Sequence, residues 1–301
     1  MNFEKKLQQI VALENIKLNE QLKPYTTFRV GGPATYFVEP ESIQQVQGLI
    51  SLCKEHQIDW FVIGNGSNLL VSDEGYDGMI ISLQKHFSHV IHEDGQIRAE
   101  AGAMIAKVSN TAKKHSLTGL EFAAGIPGTV GGALVMNAGA YGGEIKDTLI
   151  EAVVLTEQGE VLTLEASQLE LGYRKSCILD KKYIVLEALF GLQKGNEEKI
   201  KEDMKHYNEQ RRLKQPLDKA SAGSTFKRPE GYFAAKLIED AGLKGYQIGD
   251  AAVSDKHAGF VVNLGNATSK DIINVCNYVA DTVKEKFQVS LEMEVKKIGK
   301  F

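Results

Sequence analysis

Ala124-Gly125-Ile126-Pro127-Gly128-Thr129-Val130-Gly131-Gly132-Ala133, continuing to Asn137-Ala138-Gly139-Ala140-Tyr141-Gly142-Gly143, is the stretch on which the fold turns. It holds seven glycines within residues 124–143, set among aliphatic and small neighbours. Such a segment is too apolar for a flexible linker and too rich in glycine for a stable helix. Glycines this dense let the backbone approach a flat or phosphorylated ligand with no Cβ in the way. Glycine-mediated packing between elements is the alternative use, and it ranks second here.

Working back along the chain, Ile63-Gly64-Asn65-Gly66-Ser67-Asn68 closes an apolar strand with a second glycine turn. A dinucleotide fingerprint requires a third glycine three residues after Gly66, where Leu69 stands. No clear helix follows, and no acid ends a second strand at the required spacing. The Rossmann reading therefore fails, leaving either an anion-cradling turn or a tight loop with no ligand.

The flanking segments predict a small α/β unit, an antiparallel block and a third region. Leu7, Ile10, Val11 and Leu13 have helical spacing, which predicts a helix from Glu4 to Leu22. Alternation around Thr27–Val30 and Thr35–Val38, with Gly31-Gly32-Pro33 between them, predicts a hairpin. Ser42 caps a helix reaching about Lys54. From Met79 to Leu192 the β-like runs and their Glu93-Asp94-Gly95 and Glu157-Gln158-Gly159-Glu160 turns predict a mostly antiparallel sheet, with a helix at Ile105–His115. The charged helix Asn196–Lys214 is the linker candidate. Beyond it come a helix in Phe233–Leu243, a strand at Phe260–Leu264, a helix at Ser269–Phe287 and a closing strand, Leu291–Gly299.

Bulk properties exclude several functions. A chain of 301 residues with 43% hydrophobic and 25% charged residues can bury its own cores and is not disordered. A net charge of −4 without a basic stripe argues against nucleic acid as a partner. Cys53, Cys177 and Cys276 fit neither a disulfide framework nor a zinc site, and no metal is expected. The opening residues show no secretory h-region, and no apolar run approaches a membrane span. A cytoplasmic location and no membrane insertion are expected.

The glycine segment, together with Ile63–Val71, resembles the FAD-binding domain of the vanillyl-alcohol-oxidase type. Thr26–Gly32, Leu171–Ser176, Ser221–Pro229 and Leu291–Val295 extend the likeness in order over nearly the whole chain. With them the chain is identified as a member of the UDP-N-acetylenolpyruvoylglucosamine reductases, of the shorter type lacking an inserted tyrosine loop. The fold implied is α+β, with two FAD-binding subdomains (1–78 and 79–210), a substrate-binding domain (211–290) and a C-terminal strand returning to the active site (291–301). The activity implied is NADPH-dependent, FAD-mediated reduction of UDP-N-acetylglucosamine enolpyruvate to UDP-N-acetylmuramate in peptidoglycan precursor synthesis. A related flavin oxidase and a non-catalytic nucleotide-sugar binder are the rivals; both lack reason to keep the catalytic set below.

The resemblance also implies residue roles. Noncovalent FAD would contact Thr27, then Gly64, Asn65, Gly66, Ser67 and Asn68. In the second loop the contacts fall on Gly125, Ile126, Pro127, Gly128, Thr129, Gly131, Gly132 and Ala133. His86, His89 and His92, the possible tethers, are expected on a hairpin surface. Arg174 would pair with the substrate carboxylate, Ser224 would give a proton to C2, and Glu294 would help polarise the enolpyruvyl group, with a raised pKa. Ser221 and Thr225 are rival hydroxyls to Ser224. If Leu291, Met293 and Val295 face a core, Glu292 and Glu294 share the other face. Substrate-binding candidates are Tyr173, Arg212, Lys227 and Arg228, with Tyr232 and Lys256 as weaker ones. Some relatives carry Asn where Arg228 stands, so this chain adds a charge there. His257 reads as structural.

Overall fold

In the computed structural model, which describes residues 2–301, the Trp60–Ile63 strand runs parallel to Tyr76–Ser82, with Trp60 opposite Met79 and Ile63 opposite Ser82. The sheet order is Ile16–Gln21, Pro33–Val38, Tyr76–Ser82, Trp60–Ile63. The chain divides into two compact units. The first holds residues 1–18, 36–65 and 78–210; the second holds 19–35, 66–77 and 211–301. Segment 1–78 is thus shared between the units, while 291–301 lies with 211–290.

The first unit builds its core around an antiparallel sheet. Its order is Val161–Glu165, Leu149–Leu155, Ile184–Gly191, Gln96–Glu100, Val90–Glu93. Asp94 and Gly95 both take positive φ (+47° and +81°) in the tight turn of the last hairpin, as a two-residue connection of matching twist requires. Helix α1 (Phe3–Ile10) buries Phe3 and Leu7. Helix α2 (Ile43–His56) starts on Ser42, whose hydroxyl accepts from the Gln45 N–H. Helix α3 (Ile105–Lys114) buries Ile105, Val108 and Ala112, and short α4 (Val130–Val135) lies inside the glycine segment. Helix α5 (Glu197–Lys214) carries Lys199–Asp203 and Glu197–Lys201 ion pairs one turn apart, with acids in its first turn and bases in its last. It also buries Ile200 and Met204, so it packs as well as connects.

The second unit has its own core, from Phe28, Val30 and Leu70 through Val279, Val283 and Val295. A small antiparallel sheet (Gln247–Ile248, Ala251–Val253, Val261–Asn263) accompanies helices α6 (Ala234–Asp240) and α7 (Ser269–Phe287). In α7, Ile272, Val275, Cys276, Val279 and Val283 are buried at helical spacing. Thr268 and Asp271 close its N-terminus by reciprocal side-chain to backbone bonds, a capping box. Lys296–Ile298 pairs in parallel with Leu69–Val71.

Four expectations need correction. The first helix ends at Ile10: Val11, though buried, takes extended backbone, Leu13 is exposed, and Ile16–Gln21 pairs as a strand instead. The Thr27–Val30 strand is absent: the Thr26 hydroxyl donates to the Val30 carbonyl and Arg29 N–H to the Thr26 carbonyl, winding the segment into a turn with Arg29 at φ +55°. Tyr76–Ser82 belongs to the parallel pair above, since a buried apolar run carries no mark of its sheet partner. Finally, Leu291–Val295 contributes only an isolated bridge at Met293, and the closing strand shortens to Lys296–Ile298.

All three cysteines are buried and unpaired. Burial pushes the Cys53 and Cys276 thiols up to about 12. Less than about one part in a thousand of either is thiolate at pH 8. Alkylation of native protein followed by peptide mass mapping should leave both unmodified, and denaturation should expose them.

Candidate active site

The two glycine turns meet inside the first unit. Ile63 ends its strand, and a Cβ added to Gly64 would run into the Thr129 hydroxyl and its methyl group. The Asn65 amide donates to the Pro127 carbonyl (2.6 Å) and its oxygen accepts from Gln84 (3.3 Å). Val130 and Gly131 N–H groups bond the carbonyls of Ala103 and Ala101, and Thr129 caps α4 by accepting from Gly132 N–H. Residues 127–132 are thereby held as one rigid edge beside Gly64. Several glycines of the segment are explained by packing: Gly131 sits on Ala101, and Gly143 on the Phe122 ring. At these positions the packing use of glycine is the one observed.

In the second unit, Gly66 has φ +58°, and a Cβ there would strike the Tyr25 carbonyl. Its own carbonyl accepts from Thr27 N–H (3.3 Å). The Thr27 hydroxyl oxygen is buried with no hydrogen-bond partner among the described residues, which is uncommon for a polar side chain. No acceptor among the described residues takes the N–H groups of Asn65, Gly66 or Ser67. Asn68 instead serves the frame: its amide donates to the Glu294 carbonyl (3.3 Å), and its carbonyl accepts from Lys296 N–H (2.9 Å).

The same unit brings Ser224 and Glu294 together. Segments 225–227 and 292–294 run side by side, with Glu294 N–H donating to the Thr225 carbonyl and Lys227 N–H to the Glu292 carbonyl. Thr225 is fully buried and its hydroxyl accepts from Val261 N–H, so this rival is engaged in structure. Ser224, preceded by Gly223 at φ +78°, is exposed. Glu294 is 8% exposed, whereas Glu292 is exposed and ion-paired with Lys227. The expected sharing of one face by the two glutamates is corrected: no continuous strand imposes the alternation. Arg228 lies over the Phe233 ring at 3.9 Å. Arg212 is exposed, and its carbonyl accepts from Lys256 Nζ. His257 accepts Gly259 N–H on Nδ1, and burial holds its pKa below the ordinary range.

Arg174 belongs to the first unit. Gly172 and Lys175 exchange both backbone hydrogen bonds (3.0 and 3.2 Å), leaving Tyr173 and Arg174 at the tip of a tight turn. Arg174 has φ +54°, a strained conformation for a residue with a long side chain. Its guanidinium lies 5.2 Å from the Tyr173 ring and 3.5 Å from the Gly139 carbonyl. Glu144 is nearby; the Lys146 ammonium bonded to it, then the Asn137 amide and the Arg174 charge, hold its carboxyl below the usual range. The histidine expectation is corrected in part. His89 is exposed on Glu100, but His92 stacks on His115 at 3.9 Å with its Nε2 buried. Gln84 and Asn137 were not singled out in the sequence, Asn137 despite lying within the glycine segment, because their roles come from side-chain bonds to Asn65 and to Gly172, Glu144 and Lys146.

Comparison with known proteins decides the family. The chain is 52% identical over 299 residues to UDP-N-acetylenolpyruvoylglucosamine reductase of Clostridium novyi (strain NT), covering 99% of this chain and 97% of that one. The chain belongs to the UDP-N-acetylenolpyruvoylglucosamine reductase family. Residues 215–298 match the model of that reductase's C-terminal domain, and 34–165 that of an FAD binding domain. The crystal structure of the Thermus caldophilus reductase superposes with a TM-score of 0.81 at 35% identity, over 94% of this chain and 98% of that one. p-Cresol methylhydroxylase shares the fold alone, at 16% identity and a TM-score of 0.50 over 97% of this chain and 65% of its own. The vanillyl-alcohol-oxidase type of α+β fold follows. FAD is the cofactor, and the chain's residues fit it: the Thr27 hydroxyl and the Gly66 and Ser67 amides, with no hydrogen-bond partner among the described residues, are donors of the kind a diphosphate and flavin edge require.

Two predictions follow from this geometry. Gly64→Ala should force the Thr129 edge away and lower flavin retention on a desalting column by about tenfold or more, whereas Gly265→Ala, where a Cβ would make only an ordinary contact with Asp250 and the backbone needs no positive φ, should retain it. For Glu144, whose folded pKa is depressed, the stability it supplies is present above its ordinary 4.5 and fades as pH falls through the lowered folded value. The gap in urea midpoint between native protein and Glu144→Gln should therefore be constant near neutrality and close in acid.

Proposed function

We infer that the protein catalyses reduction of UDP-N-acetylglucosamine enolpyruvate to UDP-N-acetylmuramate with electrons from NADPH, in peptidoglycan precursor synthesis. The observation that carries this is the full-length match at 52% identity to a protein named as that reductase, joined to the two family models. A sugar or alcohol oxidase of the same fold has only fold-level likeness in its favour. Its partners are small molecules. Among the described residues no helix is long and apolar enough to cross a membrane. The protein works in the cytoplasm, a place suited to three free thiols.

FAD, when bound, would supply the hydride chemistry that links NADPH to C3 of the enolpyruvyl group. The chain's residues do the rest. Thr27 and Gly64–Asn68 hold FAD together with Gly125–Thr129, and Gly131, Gly132 and Ala133, whose N–H groups are bonded within the fold, line it by close backbone approach. Arg174 carries a permanent, planar charge on a preset turn, fitted to a carboxylate and to the negative charge that grows on it during hydride addition. Ser224 is the exposed hydroxyl that delivers a proton to C2. Glu294, buried one backbone bond from Thr225, acts with Arg174 on the enolpyruvyl carboxylate. Tyr173, Arg212, Lys227 and Arg228 bind the nucleotide sugar, with Lys227 leaving Glu292 to do so. In this reading 1–78 and 79–210 act as FAD-binding subdomains, 211–290 as the substrate domain, and 291–301 returns Glu294 to the site.

Anaerobic stopped-flow separates the two halves. Ser224→Ala should be reduced by NADPH at nearly the native rate, and its reoxidation by the enolpyruvyl substrate should slow by orders of magnitude. Arg174→Ala should slow the same step by about 10²–10³-fold. Equal damage to both halves would remove the proton-donor role from Ser224.

A further inference from the structure

Asn137 is buried to 1% exposure and takes a left-handed backbone conformation, φ +39°. Three of its amide's four hydrogen-bonding directions are used. Nδ2 donates to the Gly172 carbonyl (3.0 Å) and to Glu144 Oε2 (2.9 Å), while Oδ1 accepts from Lys146 N–H (2.9 Å). Gly172 is the residue that opens the Arg174 turn, and its carbonyl also accepts from Lys175 N–H. Ser176, just beyond that turn, donates to the Val135 carbonyl (2.8 Å). The turn is therefore tied at both ends to residues 135–137, where α4 gives way to the Gly139–Glu144 hairpin.

We propose that Asn137 is the positioning residue of Arg174, holding the Gly172 carbonyl so that the strained turn keeps the guanidinium in its working place. Few side chains could replace it. Aspartate has the shape but lacks the two donors, glutamine is one methylene too long, and few residues other than Asn, Asp and Gly accept positive φ readily. Strain at Arg174 makes the tie necessary: a left-handed arginine relaxes toward ordinary φ unless its surroundings hold it. Asn137 touches no reacting atom in this scheme. It acts through Arg174, and the inference rests on the role given to Arg174 above.

The test uses FAD-loaded enzyme and both half-reactions. Asn137→Gly keeps the backbone conformation and removes the amide; Asn137→Asp keeps the shape and reverses the two donors. Each should hold FAD and be reduced by NADPH within about twofold of the native rate, while reoxidation by the enolpyruvyl substrate slows by about tenfold or more. Because the effect passes through Arg174, Asn137→Gly/Arg174→Ala should be no slower than Arg174→Ala alone, within about twofold. Multiplied losses in the double variant, or equal losses in both half-reactions, would mark a merely structural residue and overturn the proposal. So would failure of both single variants to fold with FAD. If Arg174→Ala reoxidises normally, the role of Arg174 and this inference fall together; if it is slow and Asn137→Gly is normal, only the positioning role falls.

Discussion

Contact between Gly64 and Thr129 is the constraint on which the first unit's ligand edge depends. It requires glycine after the Trp60–Ile63 strand, and it requires residues 127–132 to be held flat against that strand's end. Asn65, through the Pro127 carbonyl, and the Ala101 and Ala103 carbonyls, through Gly131 and Val130, fix this arrangement from both sides. With those backbone groups engaged elsewhere, the amides that remain would be preset donors for the anion that the proposed function brings. Such preset donors need no reorganisation when the ligand arrives, which is where much of the strength of a cofactor site originates.

The three positions proposed as catalytic are prepared by different physics. Arg174 is set by strain in a two-residue turn. Ser224 and Glu294 are set by a short antiparallel pairing whose central residue, Thr225, is wholly buried. Neither device depends on a long element. Precision comes from local bonds that leave the working side chain outside the ladder, as expected for residues that must meet a substrate.

How much was legible in sequence follows from the range of the signals. Helix α7 could be read end to end, because a capping box, an apolar period and a left-handed cap at Gln288 are all local. The Asp94-Gly95 turn was legible for the same reason. Ile16–Gln21 was missed because its partner lies elsewhere in the chain, and Thr26–Val30 because one threonine hydroxyl overrode an alternating pattern. For the site, the ordered motifs pointed to the residues, yet physical reasoning on composition and spacing alone stopped at a glycine-lined ligand loop. The split of Glu292 from Glu294, and the support given by Gln84 and Asn137, arise from pairings that no motif encodes.

The interleaving of the two units has a consequence for biosynthesis. Residues 19–35 and 66–77 are made early, but the rest of their unit begins only at Arg211. Phe28, Val30 and Leu70, fully or almost fully buried at the end, have no core to enter until α7 and the final strand have left the ribosome. A nascent chain halted anywhere between these points presents apolar side chains to the cell, so such fragments should be clients for chaperones and substrates for proteolysis.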